Sequence, residues 1–256
     1  MTDSKPTPGA TLAAVPPTTD PLRPTYRERL TGGSRVLSRL YAANTALLCI
    51  DMQYLDAARG EGVFAQNQLP AGVSPEDHDY YFAILESVML PNVRRLQDTF
   101  RELGLEVIHT RIKSLTKDGR DRSPGHKRLG LHAGPGSREA EFVDIVAPTD
   151  DEIILDKTAS GVFAATNLQY VLRNLGIDAL YIVGVYTNEC VSTAARHAAD
   201  LGFHVTVVDD ACATVTPDLH DATIRILRDR YARILSTDNA VYEIKQLAEQ
   251  DAISTT

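Results

Sequence analysis

Three residues of different chemistry follow short apolar runs of the sequence. Asp51 ends the segment LLCID, Lys157 ends IILDK, and Cys190 comes shortly after YIVGV. A carboxylate can accept the proton of a thiol, and a neighbouring ammonium group favours both anions, so these side chains together could activate a sulfur nucleophile. Such a nucleophile cleaves an activated carbonyl compound through a covalent intermediate.

Cys190 is the most informative of the three residues. It lies in the first turn of a helix predicted to begin near Thr187 and to end at Leu201. In that turn the unpaired backbone N–H groups and the positive end of the helix dipole favour a thiolate and can stabilise an oxyanion. A lone cysteine is more often a small buried hydrophobe, and we interpret Cys49 and Cys212 in that way.

Asp51 and Lys157 also have ordinary interpretations. A carboxylate at the centre of a sheet costs free energy unless it is paired, so Asp51 could serve a structural ion pair or cap a turn. A lysine alone is more often a solvated surface charge. Because polar residues at the carboxyl ends of parallel strands meet at one edge of a sheet, we expect both residues to lie beside Cys190.

Short apolar runs alternate with segments of helical periodicity from Thr45 onward. This alternation predicts an α/β fold, a three-layer αβα sandwich with a mostly parallel central sheet of about six strands. The predicted strands, of which the last is the weakest, are Thr45–Ile50, Leu105–Ile108, Glu152–Leu155, Leu180–Val183, Val205–Val208 and Ala232–Leu235.

The helices are predicted from apolar residues that recur every three or four positions. One helix spans Phe82–Leu103, and Pro91 is expected to kink or restart it. Two further helices end at Gly176 and Gly202, where a glycine C-cap is expected. Thr216 supplies the N-cap of a fourth helix.

Two segments lack clear strand or helix periodicity. Residues 1–30 are rich in proline and threonine, with six prolines between Pro6 and Pro24, and predict a mobile N-terminal arm. Residues 31–256 are then expected to form one catalytic domain. Within it, the Gly-, Arg- and His-rich segment between Lys113 and Ala147 is expected to pass over the active-site edge of the sheet.

Composition and charge exclude several classes of function. The formal net charge is −8, which disfavours nucleic acid and anionic membranes as partners because both are themselves anionic. An odd set of three cysteines argues against a disulfide scaffold and for a reducing compartment. No apolar run approaches the roughly 20 residues of a membrane span. We therefore expect a cytoplasmic protein that acts on a small molecule.

Three longer segments carry a family resemblance. LLCIDMQ, IILDKTASGVF and GVYTNECVSTAARHAADLGFHVTVVDDACAT resemble the signature segments of the isochorismatase-like cysteine hydrolases, over the chain from about Thr45 to Ser236. The resemblance implies that Asp51, Lys157 and Cys190 form a catalytic triad. The family includes nicotinamidases, N-carbamoylsarcosine, ureidoacrylate and maleamate amidohydrolases, and biuret and triuret hydrolases.

The resemblance also implies a mechanism. The family's nonproline cis peptide maps to Val185-Tyr186, which would bring the backbone N–H of Tyr186 beside that of Cys190 as an oxyanion hole. The thiolate would attack an amide or ureido carbonyl and form a thioester or carbamoyl-enzyme, and ammonia or an amine would leave. Family members commonly assemble as dimers or tetramers, so a homo-oligomer is expected.

The substrate is expected to be an amide or a ureide. A cysteine nucleophile favours the amidohydrolase branch over isochorismatase chemistry, and GVYTNEC and RDRYARIL resemble the biuret, triuret and ureidoacrylate hydrolases. Arg230 stands where biuret hydrolases have a substrate-binding glutamine, and its guanidinium would suit triuret or a carboxylate. Tyr54, Phe163 and Tyr186 are further candidates for substrate binding. A surface salt bridge for Arg230 and core packing for Phe163 are the alternatives.

No metal or other cofactor is expected. The nicotinamidases' Asp-x-His spacing is absent near Asp51, and His109, His126 and His132 are scattered through the sequence. Other small-amide hydrolysis (maleamate, N-carbamoyl amino acid or nicotinamide) and an isochorismatase-type reaction remain alternatives. So do two functions without catalysis, a thiol-based redox sensor and an inactive binding module.

Overall fold

The computed structural model describes residues 40–65 and 69–254 of the chain. The predicted N-terminal arm of residues 1–30 lies outside the described residues. The described part contains one six-stranded sheet, which orders β3-β2-β1-β4-β5-β6. The strands are β1 (Thr45–Ile50), β2 (Glu106–Ile112), β3 (Ile153–Lys157), β4 (Ala179–Val185), β5 (His204–Ala213) and β6 (Arg233–Leu235).

All neighbouring strands pair in parallel, so the fold class predicted from the sequence is confirmed. β1 and β4 lie at the centre of the sheet, where every one of their residues is buried. The strands extend beyond the apolar runs that predicted them: β2 continues to Ile112 and β5 to Ala213. The extensions contain polar residues such as Arg111 and Asp209, which apolar patterning does not register.

Helices cover both faces of the sheet. They are α1 (Pro75–Ile84), α2 (Leu90–Glu102), α3 (Pro124–Leu129), α4 (Val162–Ala165), α5 (Leu168–Asn174), α6 (Ser192–Asp200), α7 (Pro217–Leu227) and α8 (Thr237–Ser254). Single π-helical segments, Leu85–Met89 and Thr187–Val191, lead directly into α2 and α6.

The predicted helix signals are confirmed where the structure describes them. Pro91 lies in the first turn of α2, directly after the π-helical segment Leu85–Met89, so the helix continues through this position. Gly176 and Gly202 have φ angles of 71° and 86° and end α5 and α6 in the left-handed conformation. The Thr216 hydroxyl accepts a hydrogen bond from the backbone N–H of Leu219 and caps α7.

Two apolar layers hold the helices to the sheet. Because successive strand residues point to opposite faces, Leu47 packs in one layer and Leu48 in the other. The first layer includes Phe100 of α2, and the second includes Ala194 of α6 together with Cys190. The nucleophile candidate therefore lies against the packed core, which limits how far its turn can move.

Gly184 allows β4 to approach β1 closely just before the chain reaches Cys190. Its φ angle is 125°, and a Cβ atom at this position would lie 2.1 Å from the carbonyl oxygen of Ile50. The pairing of β4 with β5 also shifts register between Ile182 and Gly184. Only glycine fits this backbone. The apolar residues of YIVGV form the strand, and its glycine lets β4 lie close to Ile50 of β1.

The segment between Lys113 and Ala147 is attached to the carboxyl edge of the sheet. The backbone N–H of Lys113 donates to the carbonyl of Lys157 over 3.0 Å, and that of Ser123 donates to Thr158 over 2.9 Å. These bonds agree with the predicted path over the active-site edge. In the part of the chain that the structure describes, no helix is long and apolar enough to cross a membrane.

Candidate active site

The three chemically distinct residues meet at the carboxyl edge of the sheet. Asp51 directly follows β1, Lys157 is the last residue of β3, and Cys190 lies in the π-helical segment after β4. β3 is separated from β1 by β2, so the long lysine side chain is what reaches the centre of the edge. The parallel topology brings together groups that are far apart in sequence.

The Lys157 ammonium group joins the other two side chains. Its Nζ atom lies 2.7 Å from Asp51 Oδ2 and 3.3 Å from Cys190 Sγ, and it donates to the carbonyl of Ala159 over 3.0 Å. Asp51 and Lys157 are 0% exposed and Cys190 is 5% exposed. The three contacts match the three N–H donors of an ammonium group, so its direction is fixed.

The Asp51 carboxylate is held on both sides. Its Oδ1 atom accepts a hydrogen bond from the Thr110 hydroxyl over 3.0 Å, while Oδ2 faces Lys157. The backbone φ angle of Asp51 is 54°, a left-handed conformation that aspartate tolerates better than most residues. The Gln53 side chain exchanges hydrogen bonds with the backbone of Ile112 and so fixes the turn that follows β1.

The charges of the site favour a resting state with a protonated thiol. Burial raises the pKa of Cys190 above its usual value, Lys157 opposes this, and a hydrogen bond with Asp51 raises the pKa further. Burial alone would lower the pKa of Lys157, but Asp51 and Cys190 outweigh it and raise that pKa. The arrangement is a buried Asp–Lys ion pair beside a thiol that contacts the ammonium group.

Tyr186 lies beside the nucleophile candidate. The peptide bond between Val185 and Tyr186 is cis, as the resemblance led us to expect. The Tyr186 ring lies 5.4 Å from the Tyr81 ring, and its hydroxyl donates to the carbonyl of Asp56 over 3.5 Å. Burial raises the pKa of the phenol well above its usual value, so Tyr186 remains a neutral donor.

The other candidates for substrate binding lie in different surroundings. Tyr54 is half-buried, and the Arg138 guanidinium lies 3.3 Å from its ring centre. The Phe163 ring packs 6.0 Å from the Phe203 ring, a contact that matches the core-packing alternative. The structure does not bring Arg230 to the triad. This residue is exposed, lies 4.8 Å from the Tyr231 ring, and sits in the α7–β6 connection, at the amino edge of the sheet.

His126 is a site residue that the sequence reasoning missed. It belongs to α3, is 2% exposed, and its Nε2 atom lies 3.4 Å from the Ser160 hydroxyl. Burial, followed by the positive charge of Lys157, lowers the pKa of His126 to about 4, so the imidazole is neutral. The histidine stands beside a Ser-Pro pair that begins a helix, but the sequence does not indicate that this short helix faces Lys157.

A second missed feature supports the turn that carries Cys190. The Thr187 hydroxyl lies 3.0 Å from His220 Nδ1, and His220 Nε2 lies 2.8 Å from Asp209 Oδ1. Thr187 is fully buried and begins the π-helical segment, whereas His220 belongs to α7 and Asp209 to β5. The chain of contacts therefore ties the nucleophile's turn to two other elements.

The scattered histidines make separate contacts. His109 Nε2 lies 3.0 Å from Glu152 Oε2, and His132 Nε2 lies 3.3 Å from the Ser114 hydroxyl. Within residues 40–65 and 69–254, no group of three or more His, Cys, Asp or Glu side chains is placed to hold a metal ion.

Known proteins resemble this chain in sequence and in fold. The isochorismatase domain family matches residues 45–239. A protein of Arabidopsis thaliana described as a probable inactive nicotinamidase is 32% identical over 188 residues, which is 71% of this chain and 86% of that protein. The maleamate amidohydrolase of Pseudomonas putida is 26% identical over 150 residues, 58% of this chain and 70% of that protein.

A solved structure of a related amidase also resembles this chain. The crystal structure of N-carbamoylsarcosine amidase from Thermoplasma acidophilum matches with a TM-score of 0.57 and 26% identity, and the match covers 76% of this chain and 97% of that one. The family match spans the whole sheet and all three residues that meet at its edge. The chain therefore belongs to the isochorismatase family.

Proposed function

We propose that the protein is a cysteine-dependent amidohydrolase that cleaves the C–N bond of a small amide or ureido compound. The observation that carries this proposal is the buried contact of Lys157 Nζ with both Asp51 (2.7 Å) and Cys190 (3.3 Å). Two relatives whose names describe amide hydrolysis, a maleamate amidohydrolase and an N-carbamoylsarcosine amidase, support the same reaction class.

The first half of the reaction forms an acyl-enzyme. Asp51 takes the proton of the Cys190 thiol while Sγ attacks the substrate carbonyl carbon, and Lys157 stabilises the negative charge on both groups. The backbone N–H groups of Tyr186 and Cys190 hold the oxyanion of the tetrahedral intermediate. The C–N bond then breaks, the nitrogen takes the proton from Asp51, and ammonia or an amine leaves.

The second half regenerates the thiol. A water molecule attacks the thioester or carbamoyl carbon, and Asp51 accepts one of its protons. The C–S bond breaks, and the proton returns from Asp51 to sulfur as the acid product leaves. Each proton moves between Asp51 and an atom bonded to the reacting carbon, so the mechanism needs no other titrating side chain.

The substrate belongs to the class of small amides and ureides. Triuret and biuret are the first candidates because GVYTNEC and RDRYARIL resemble the hydrolases of those compounds. A preference for triuret or for a carboxylate-bearing substrate would require Arg230 at the site. In this chain Arg230 comes just before β6, whereas Cys190 comes just after β4. The substrate panel must therefore cover the whole class.

An ammonia-release assay tests the proposal. The panel contains triuret, biuret, maleamate, an N-carbamoyl amino acid and nicotinamide, each assayed with the wild-type protein and with Cys190→Ala. We expect at least one compound to be hydrolysed by the wild type and none by Cys190→Ala, because the nucleophile is lost while the fold is retained. Circular dichroism checks that the variant is folded. Full activity of the folded variant would refute a cysteine nucleophile.

A further inference from the structure

Asp56 is an acidic residue of the turn after β1 that the mechanism above does not use. It is 2% exposed, and its carbonyl oxygen accepts hydrogen bonds from the hydroxyls of Tyr81 (2.9 Å) and Tyr186 (3.5 Å). Tyr81 belongs to α1 and Tyr186 follows β4, so two separate elements fix the Asp56 backbone beside the residue that precedes the nucleophile's turn. The backbone that carries its side chain is accordingly well fixed.

The Asp56 side chain is buried without a complete set of partners. Among the described residues, no group forms a hydrogen bond with its buried Oδ1 atom. A buried polar atom without a partner destabilises the site, and a bound ligand that supplies the missing contact removes this cost. Asp56 interacts electrostatically with Asp51, Lys157 and Cys190, so such a ligand would lie beside the reacting groups.

The same surroundings favour the uncharged form of Asp56. Burial raises the pKa of Asp56 well above its usual value, the negative charge of Asp51 raises it further, and Lys157 offsets only part of this. Tyr81 and Tyr186 face it as neutral phenols, because burial raises both of their pKa values as well. A protonated carboxyl group presents one donor, its O–H, next to one acceptor, its C=O.

We propose that Asp56 is a substrate-binding residue whose buried carboxyl group pairs with a second amide unit of the substrate. An amide unit presents a C=O acceptor next to an N–H donor, the exact complement of a carboxylic acid. The substrate class is then a diamide or a ureide, in which one carbonyl reacts at Cys190 and a neighbouring –CO–NH– unit is bound by Asp56. This assignment rests on the proposed amidohydrolase function.

The pairing also favours substrates with a second amide over substrates with a carboxylate in its place. A carboxylate presents two acceptors, so it can accept the Asp56 O–H but places its other oxygen against the Asp56 C=O. It would also bring a second negative charge near Asp51. Compounds that carry a carboxylate in place of the second amide, such as maleamate, are therefore expected to bind more weakly than a diamide of similar size.

A protection experiment tests the proposal without requiring turnover. Methyl methanethiosulfonate, which has no amide group, labels Cys190, and peptide mass spectrometry gives the initial rate of labelling. Malonamide, its tetramethyl derivative without N–H groups, and malonamate are added as competitors. We expect malonamide to protect wild-type Cys190 at concentrations about tenfold lower than the other two compounds, the effect of one well-formed hydrogen-bonded pair.

Two variants of Asp56 make the test specific. Asp56→Asn keeps one donor beside one acceptor and is expected to retain the preference for malonamide, whereas Asp56→Leu is expected to lose it. Asp79→Asn changes an exposed aspartate, whose side chain is 79% exposed, and serves as the matched control. If Asp56→Leu does not fold, Asp56→Ala, which also lacks the donor and the acceptor, takes its place with the same expected loss of the preference.

Three results would overturn the proposal: equal protection by malonamide and malonamate in the wild type, a retained preference in a folded Asp56→Leu, or a lost preference in Asp56→Asn. The outcome is independent of the ammonia assay. If no compound of the panel releases ammonia but malonamide protects Cys190 as expected, the amidohydrolase reaction is refuted and the binding role of Asp56 is not.

Discussion

At the scale of single residues, the proposed site is built on one ammonium group that contacts both a carboxylate and a thiol. Lys157 is buried and pairs with Asp51, while it also contacts the sulfur atom of Cys190. A buried ion pair adds little net stability, because the Coulomb energy of the pair mainly offsets the cost of removing two charges from water. The pair is therefore explained by the chemistry it permits and not by the stability of the fold.

Replacing one member of this pair has a predictable cost. Lys157→Met leaves the Asp51 charge buried without its partner, so the free energy of unfolding is expected to fall by about 3–5 kcal/mol. The double variant Asp51→Asn/Lys157→Met removes both charges and is expected to recover most of that loss, while neither protein releases ammonia. Urea unfolding at pH 7 measures the stabilities. Equal destabilisation of the single and double variants would contradict the predicted cost of the unpaired charge.

At the scale of elements, the position of the π-helical segment Thr187–Val191 is fixed by its contacts with the neighbouring strands and with α7. The preceding strand is fixed by Gly184, whose backbone nearly touches that of Ile50. The segment itself is fixed by the contacts of Thr187 with His220 of α7 and of His220 with Asp209 of β5. The position of Cys190 is thus determined from three directions.

The contacts of His220 lead to a kinetic prediction. Thr187→Val and His220→Gln are each expected to lower kcat about tenfold and to leave KM within twofold, because they loosen the nucleophile's turn without touching the substrate. The double variant should be no slower than either single variant if the two residues act as one unit. His204→Gln, at the amino end of β5 and so at the other edge of the sheet, is the control. Unchanged kcat in both single variants would show that these contacts do not position Cys190.

The elements themselves were largely predictable from the sequence, but the site was predictable only in part. Apolar runs locate the strands because parallel strands are buried on both faces, and Asp51, Lys157 and Cys190 stand out because they follow such runs. Asp56 and His126 carry no such signal. They reach the site through a turn and a short helix, whose direction depends on long-range contacts that sequence periodicity does not encode.

At the scale of the whole molecule, charge and burial set the response to pH. The chain is acidic, with a formal net charge of −8, yet it buries a neutral histidine in its core. Burial lowers the pKa of His109 to about 4, although the neighbouring Glu152 carboxylate acts in the opposite direction. His109 must therefore gain a proton more readily in the unfolded chain than in the folded protein.

This difference predicts where acid destabilises the fold. The stabilising contribution is complete above the ordinary histidine pKa of 6.5 and is lost as the pH falls to about 4, which amounts to about 3 kcal/mol. We expect His109→Gln to show a correspondingly smaller decrease in the free energy of unfolding over this range. Urea unfolding at several pH values from 7.5 to 4 measures the difference. Parallel curves for the two proteins would rule out this contribution.

The path of the segment between Lys113 and Ala147 has a consequence for how such an enzyme diversifies. The segment leaves β2 at the carboxyl edge of the sheet and is attached there by backbone hydrogen bonds to Lys157 and Thr158, while Asp51 and Cys190 lie on other elements. Backbone bonds do not depend on which side chains the segment carries. The exposed positions of this segment can therefore change in evolution without altering the hydrogen bonds that attach its backbone to the sheet.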